Sequence, residues 1–220
     1  MVEAVAKNIL KQVQEMQTAP QQPAPPSPPK KNDGKVSSPS SSLQGSIASG
    51  LLLFTKAQAG QVACCPFTAA CALALNSKGI TFDFRPTPAE RKPDWLLPSP
   101  HNGSLPCLRS VDGLITLTES EAIMRFIDTN CGTPGSLSAN KQLDNLALFA
   151  PLYRRLTNTD ASRNAQVQAD LNAKLDELEK VLEASGGPYL LGEKMAMADC
   201  RVLPQLFMLA SALESLHGEA

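Results

Sequence analysis

Two adjacent cysteines stand before a proline, at a point where an extended segment is expected to become a helix. The fixed φ and missing N–H of Pro66 suit the first position of a helix. Because the residue before a proline is disfavoured in helical geometry, Cys65 is predicted to be the N-cap. Its sulfur would then face the free N–H groups and the positive dipole end of the first turn, which stabilise a thiolate over a thiol. Thiolates attack disulfides and electrophiles, so Cys65 is the predicted nucleophile.

Other interpretations of this pair remain open. Cysteine is among the most buried residue types, and Cys64 and Cys65 could be small packing residues without a redox role. Cys64 could also form a vicinal disulfide with Cys65, act as an internal resolving thiol, or be passive. The remaining four cysteines are expected to pack in the interior: Cys71, Cys107, Cys131 and Cys200.

The overall composition excludes several classes of function. The 220 residues carry a net charge of −1, so no nucleic-acid partner is expected. No apolar run approaches the roughly 20 residues that span a bilayer, and the N-terminus lacks the apolar core of a signal peptide. With only two histidines and no C-x-x-C pair, no metal site is expected. We therefore expect a cytoplasmic protein without a metal cofactor.

Hydrophobic periodicity predicts the elements that position Cys65. A strand over residues 51–57, a helix over 66–78 and a strand over 80–85 would form a βαβ unit. A hairpin over 106–118 and a helix over 119–130 follow. The first ordered domain, residues 50–132, is therefore expected to be βαβ followed by ββα.

The rest of the chain has a different character. Helices are predicted over 142–157, 161–184 and 197–216, which makes residues 141–220 an all-α domain. Ala196 stands where the last helix needs a cap, at an expected cost of roughly 1 kcal/mol.

The N-terminal region precedes both domains. Residues 1–17 could form a short amphipathic helix. The Pro- and Ser-rich residues 18–49 are expected to be a disordered linker, because they hold too few apolar groups to offset their chain entropy. A PxxP spacing within the linker could also bind an SH3-type domain.

Five motifs occur in a characteristic order: CPFT, KGITFDF, KPDWLLPSPHNGSLPCL, LTESEAIMRFID and YLLGEKMAMADCRVLPQL. With these motifs the chain resembles the glutathione transferase superfamily, in its cysteine-type branch of omega-class enzymes, dehydroascorbate reductases and chloride intracellular channel proteins. The resemblance implies a thioredoxin-like α/β N-terminal domain followed by an all-α domain. The helical domain would be shortened, since these families continue for several more helices.

The resemblance also implies a site for glutathione around the C-P-F motif. Cys65 would form a mixed disulfide with the tripeptide, with Pro66 and Phe67 beside it. Lys92, from the K-P-x-W stretch, would lie near the glycine carboxylate of glutathione.

Two further pairs of residues complete the implied site. Leu105, before a cis Pro106, would pair its backbone with the cysteinyl unit. Glu119 and Ser120 would receive the γ-glutamyl end. Ser120 is by its residue type also a candidate helix cap, while N–H groups at a helix start can bind a carboxylate.

The resemblance implies a function as well. Thr68 stands where a dithiol enzyme has its second cysteine, so the site would be monothiol. The chain would be a glutathione-dependent thiol oxidoreductase of the dehydroascorbate reductase or thioltransferase type, with glutathione as co-substrate. The alternative is a channel-like protein with redox-dependent membrane or partner association and little catalysis. The apolar run over residues 66–77 is too short to span a bilayer, which favours the enzyme.

Overall fold

The computed structural model describes residues 39–137, 143, 146 and 148–217. Their strands form one sheet, made of β1 (Leu51–Gln58), β2 (Gln61–Val62), β3 (Phe82–Thr87), β4 (Cys107–Ser110) and β5 (Thr116–Thr118). Strand β1 is central, because it pairs in parallel with β3 and antiparallel with β4 and β2. Strand β5 pairs antiparallel with β4 as the second arm of the predicted hairpin.

Three helices accompany the sheet: α1 (Pro39–Ala48), α2 (Pro66–Ser77) and α3 (Ser120–Asn130). Helix α2 is the crossover between the parallel strands β1 and β3, as the βαβ pattern predicted. It ends before Gly79, which takes a φ of +65° that a side chain would disfavour. Leu51 and Leu53 of β1 are buried in a core shared with α2 and α3.

The second domain consists of α4 (Phe149–Thr157), α5 (Asn164–Ser185) and α6 (Met197–His217). Helix α5 ends at Gly186 in the left-handed conformation. Buried leucines of α5 and of the segment before α4 form a separate core with one face of α6. This core includes Leu146, Leu178 and Val202. The fold class predicted from the sequence, a thioredoxin-like α/β domain followed by an all-α domain, is confirmed.

Helix α1 corrects part of the predicted linker. Residues 18–49 were expected to be disordered, yet Pro39–Ala48 is helical. The Ser46 side chain is buried, Ile47 packs against the sheet core, and the Gln44 side-chain amide donates to the Asn130 carbonyl at 3.1 Å. These tertiary contacts stabilise a segment whose own sequence is poorly helical. The predicted helix over 1–17 and the rest of the linker lie outside the described residues.

Other boundaries differ from the predictions by a few residues. Strand β3 lies two residues later than expected and includes Pro86, which an edge strand tolerates. Helix α4 begins at Phe149 instead of residue 142. The two-residue strand β2 was not predicted, because two residues carry no periodic signal.

The start of α6 has a partner that the sequence reading missed. The Asp199 carboxylate accepts hydrogen bonds from the Ala196 N–H at 2.7 Å and from the Leu190 N–H at 2.9 Å. Asp199 thus makes the half of a capping box in which the third helical residue accepts from the N–H of the N-cap residue. Among the helices of the described ranges, none is both long and apolar enough to cross a membrane.

Candidate active site

The strand register brings the candidate residues of two motifs to one edge of the sheet. Cys107 of β4 pairs with Phe54 of β1 on one side and with Thr118 of β5 on the other. Leu105-Pro106 directly precedes this row, and Glu119-Ser120 directly follows it. The two pairs therefore emerge from neighbouring strands at the same edge.

The chain that leaves strand β1 reaches Cys65 near this edge. Beyond Lys56 the chain turns through β2, and the Ala63 N–H returns to the Lys56 carbonyl at 2.8 Å. Cys65 follows as the N-cap of α2, with extended geometry at φ −136° and ψ 115°. Pro66 occupies the first helical turn and is buried, while Cys65 is partly exposed. The sulfur makes no capping hydrogen bond to the helix.

The other cysteines are poor candidates for a thiolate. Burial raises the pKa of Cys107 to about 11 and that of Cys200 to about 12. Burial also raises the pKa of Cys71, assisted by Cys65 and Cys200, and raises that of Cys131. These four thiols are enclosed and remain protonated at neutral pH.

Cys64 is exposed but differs from a free surface thiol. Partial enclosure of its sulfur first, and the neighbouring Cys65 second, raise the pKa of Cys64. Cys64 is therefore expected to be protonated at neutral pH. Among the six cysteines, only these two side chains reach solvent.

The loop before β4 places Lys92. The Leu105–Pro106 peptide bond is cis, as the resemblance implied. Lys92 follows a short 3-10 helix, Ala89–Arg91, and its side chain lies over Gly103. A Cβ on Gly103 would stand 3.3 Å from the Lys92 Nζ, and Gly103 has a φ of +68°. Glycine at this position thus lets the ammonium group approach the backbone two residues before Leu105.

Glu119 holds an unusual backbone conformation beside the site. It is the N-cap of α3 with φ +69° and ψ 115°, and Ser120 is the first helical residue. Ser120 is therefore not the cap that its residue type suggested, because the tight turn from β5 assigns that position to Glu119. The Ser120 carbonyl lies 3.9 Å from the Cys71 sulfur of α2, which links the starts of the two helices.

A pocket of about 370 Å³ opens between these helix starts and the second domain. Its lining comes from α2, α3, α4 and α6: Pro66, Phe67, Ala70, Ser120, Glu121, Met124, Arg125, Phe149, Arg201 and Gln205. The Arg201 guanidinium donates to both oxygens of Glu121, at 2.5 and 2.9 Å, and so joins the two domains. The Gln205 Oε1 is buried and has no hydrogen-bond partner among the described residues.

Aromatic rings extend the pocket wall away from Cys65. The Phe67 ring lies 4.8 Å from that of Phe149, which stacks on Tyr153 at 5.8 Å. Phe67 is 37% exposed, so the ring next to the cysteine is accessible from solvent.

Sequence reasoning missed the pocket residues of the helical domain. Arg201 and Gln205, polar residues within a mostly apolar helix, were the available signal for them.

Together these features define a two-domain protein with a thioredoxin-like sheet, a cysteine at the first helix start and a helical domain packed against it. The sequence models of the glutathione S-transferase N-terminal and C-terminal domains match residues 61–135 and 160–218. The chain therefore belongs to the glutathione S-transferase family.

Similar proteins include several whose names denote dehydroascorbate reductases. A probable cytosolic glutathione S-transferase DHAR1 of Oryza sativa is 27% identical over 158 residues, covering 70% of this chain and 71% of the relative. Glutathione S-transferase DHAR2 of Arabidopsis thaliana is 26% identical over 151 residues, covering 68% of each chain. These relatives agree with the cysteine-type branch that the motifs indicated.

Solved structures show the same fold. The dehydroascorbate reductase of Chlamydomonas reinhardtii superposes with a TM-score of 0.67 at 21% identity, covering 78% of this chain and 81% of that one. The omega-class transferase 3C of Trametes versicolor gives a TM-score of 0.63 at 18% identity and covers 82% of each chain.

Proposed function

We propose that this chain is a glutathione-dependent thiol oxidoreductase that acts through Cys65. The observation that carries the proposal is the position of Cys65: it is the N-cap of α2, partly exposed, at the sheet edge where Leu105 and Glu119 emerge. Four of the other cysteines are buried and protonated, and Cys64 has a raised pKa. Of the two accessible cysteines, Cys65 alone stands at a helix start, beside the free N–H groups of the first turn.

Glutathione would lie along this edge with its sulfur at Cys65, against Pro66 and Phe67. The γ-glutamyl end would meet Glu119 and the free N–H groups at the start of α3, since a helix N-terminus binds carboxylates. The opposite end would lie toward Lys92, whose ammonium attracts the glycine carboxylate. In this orientation the ammonium of glutathione faces the Glu119 carboxylate, and its glycine carboxylate faces the Lys92 ammonium.

The reaction proceeds by two thiol–disulfide exchanges when the substrate is a glutathione mixed disulfide. The Cys65 thiolate attacks the glutathione sulfur, forms Cys65–S–S–glutathione and releases the substrate as a thiolate. A second glutathione thiolate attacks the glutathione sulfur of that bond, which yields oxidised glutathione and restores the Cys65 thiolate.

Dehydroascorbate is the other proposed substrate, in line with the names of the relatives. Two glutathione molecules would supply its two electrons and two protons, giving ascorbate and oxidised glutathione. The pocket beside Phe67 can hold the substrate, because it offers apolar walls together with the polar groups of Ser120 and Gln205.

Intact mass after treatment with oxidised glutathione tests the assignment of the nucleophile. Wild type and Cys64→Ser should each gain one glutathione, whereas Cys65→Ser should gain none. Cys64→Ser is the matched control, since it removes an adjacent thiol that also reaches solvent. An adduct that persists in Cys65→Ser would refute the role of Cys65.

A further inference from the structure

Thr68 carries a buried hydroxyl that lacks a partner. The residue is 3% exposed, and its Oγ1 forms no hydrogen bond within the described part of the chain. Threonines inside helices usually bond to the carbonyl one turn earlier, and a buried hydroxyl without a partner costs free energy. The position of this hydroxyl therefore needs an explanation.

The explanation lies one helical turn away. Cys65 is the N-cap of α2, and Thr68 is the third helical residue. In a capping box the side chain at each of these two positions bonds to the backbone N–H of the other, so the two side chains lie close together. Cysteines at the same spacing at a helix start form the disulfides of C-x-x-C proteins, so atoms at these positions can come within bonding range. The Cys65 sulfur itself has no capping bond to the helix.

We propose that Thr68 is the positioning residue of Cys65, whose thiolate accepts a hydrogen bond from the Thr68 hydroxyl. The inference rests on the proposed function, in which Cys65 is the nucleophile. A neutral thiol is a weak acceptor and leaves the hydroxyl unpaired, whereas a thiolate accepts strongly. In the proposed bond the hydroxyl turns toward the sulfur by rotation about the threonine χ1.

The bond would act at two stages of the reaction. It holds the thiolate in place before attack, and it forms again when the second glutathione displaces Cys65 as the leaving thiolate. No proton is transferred, because Thr68 keeps its hydrogen throughout. Thr68 thus supplies a hydrogen-bond donor at the position where a dithiol site has its resolving cysteine.

The rate at which iodoacetamide alkylates Cys65, followed by mass as a function of pH, tests the proposal. All variants carry Cys64→Ser so that only one thiol reacts. Thr68→Val, which keeps the shape and loses the donor, should slow alkylation about tenfold at pH 7 and displace the pH profile about one unit upward. Thr68→Ser should follow wild type, because it keeps the donor.

The proposal would be overturned if the pH profile of alkylation for Thr68→Val coincided with that of wild type. It would also be overturned if the Thr68→Ser profile were displaced as far as that of Thr68→Val. Thr68→Ala must shift in the same direction, which guards against a packing effect of valine, and circular dichroism checks that each variant is folded. Alkylation uses no glutathione. A displaced profile in a protein that forms no glutathione adduct would therefore support Thr68 while refuting the oxidoreductase.

Discussion

At the scale of single residues, the candidate site departs from the choices that stability alone favours. Ser, Thr, Asp and Asn are the usual N-caps, yet α2 begins with Cys65, which forms no capping bond. Helix α3 begins with a glutamate at φ +69°, where glycine is the unstrained residue. Such local costs concentrate at functional sites, and here both fall at the edge proposed to hold glutathione.

Substitutions at Glu119 measure what its conformation costs in stability and what its carboxylate contributes to glutathione binding. Glu119→Gly should raise the free energy of unfolding by about 1 kcal/mol relative to Glu119→Ala, because glycine removes the strain of the positive φ. Both variants should bind glutathione more weakly than wild type, since each lacks the carboxylate. Urea unfolding and calorimetric titration with glutathione measure the two effects. A glycine variant less stable than the alanine variant would show that the conformation is not strained.

The site residues differ in whether a short stretch of sequence is enough to predict them. Cys65, Leu105-Pro106 and Glu119 could be found because each lies in a short motif with its own turn or helix-start chemistry. The unpaired oxygens of Thr68 and Gln205 could not, because whether a partner is present depends on tertiary packing.

At the scale of elements, a helix was predicted accurately where the sequence contains residues that start and stop helices. Pro66 and Gly79 mark both ends of α2, and the structure ends the helix within a residue of the prediction. Helix α1 has no apolar periodicity and depends on contacts with Asn130 and the sheet core. Helix α4 starts late because leucines 143, 146 and 148 are buried in the core of the second domain while preceding the helix.

At the start of α6, the Asp199 carboxylate accepts hydrogen bonds from two backbone N–H groups. Asp199→Ala should lower the free energy of unfolding by about 3 kcal/mol, because it leaves the buried N–H groups of Leu190 and Ala196 without an acceptor. Asp199→Asn keeps one acceptor oxygen and should lose about half as much. Urea unfolding at pH 7 measures both, and an alanine variant as stable as wild type would exclude the capping role.

The pH dependence provides a separate test of Asp199. Burial raises the pKa of Asp199 from its ordinary 3.8, and hydrogen bonds from backbone N–H groups, first those of Leu190 and Ala196, only partly oppose this shift. The folded state therefore binds a proton more readily than the unfolded state. The stability of wild type relative to Asp199→Asn should increase as the pH falls through the raised pKa toward 3.8, and be lost as the pH rises again. A difference independent of pH over this range would contradict the raised value.

At the scale of the whole molecule, the core beside the sheet is shared by the two domains, although the helical domain also has a core of its own. Met197, Cys200 and Leu203 of α6 pack into the same cluster as the sheet leucines. Within the first domain, Lys78 joins the end of α2 to α3 and the segment after it, because its ammonium contacts the Asp128 carboxylate at 2.7 Å and donates to the Thr133 carbonyl at 2.6 Å. Since the domains bury each other's apolar surface, they should unfold together.

Helix α6 offers a matched pair of substitutions that tests this cooperativity. Leu203 packs against the sheet core, whereas Leu206 packs against the core of the helical domain. Trp95 is the only tryptophan, and its ring contacts Phe54 of β1, so its fluorescence reports on the first domain. Far-UV circular dichroism reports mainly on the helices.

Leu203→Ala and Leu206→Ala should each lower the free energy of unfolding by about 2 kcal/mol, and each should shift the fluorescence and dichroism midpoints in urea equally. Leu206→Ala is the decisive variant, because the Leu206 side chain packs in the core of the helical domain, whereas Trp95 contacts a strand of the sheet. If it shifted the dichroism transition and left the Trp95 transition in place, the domains would unfold separately. The shared core would then not couple the pocket residues of α6 to the cysteine edge of the sheet.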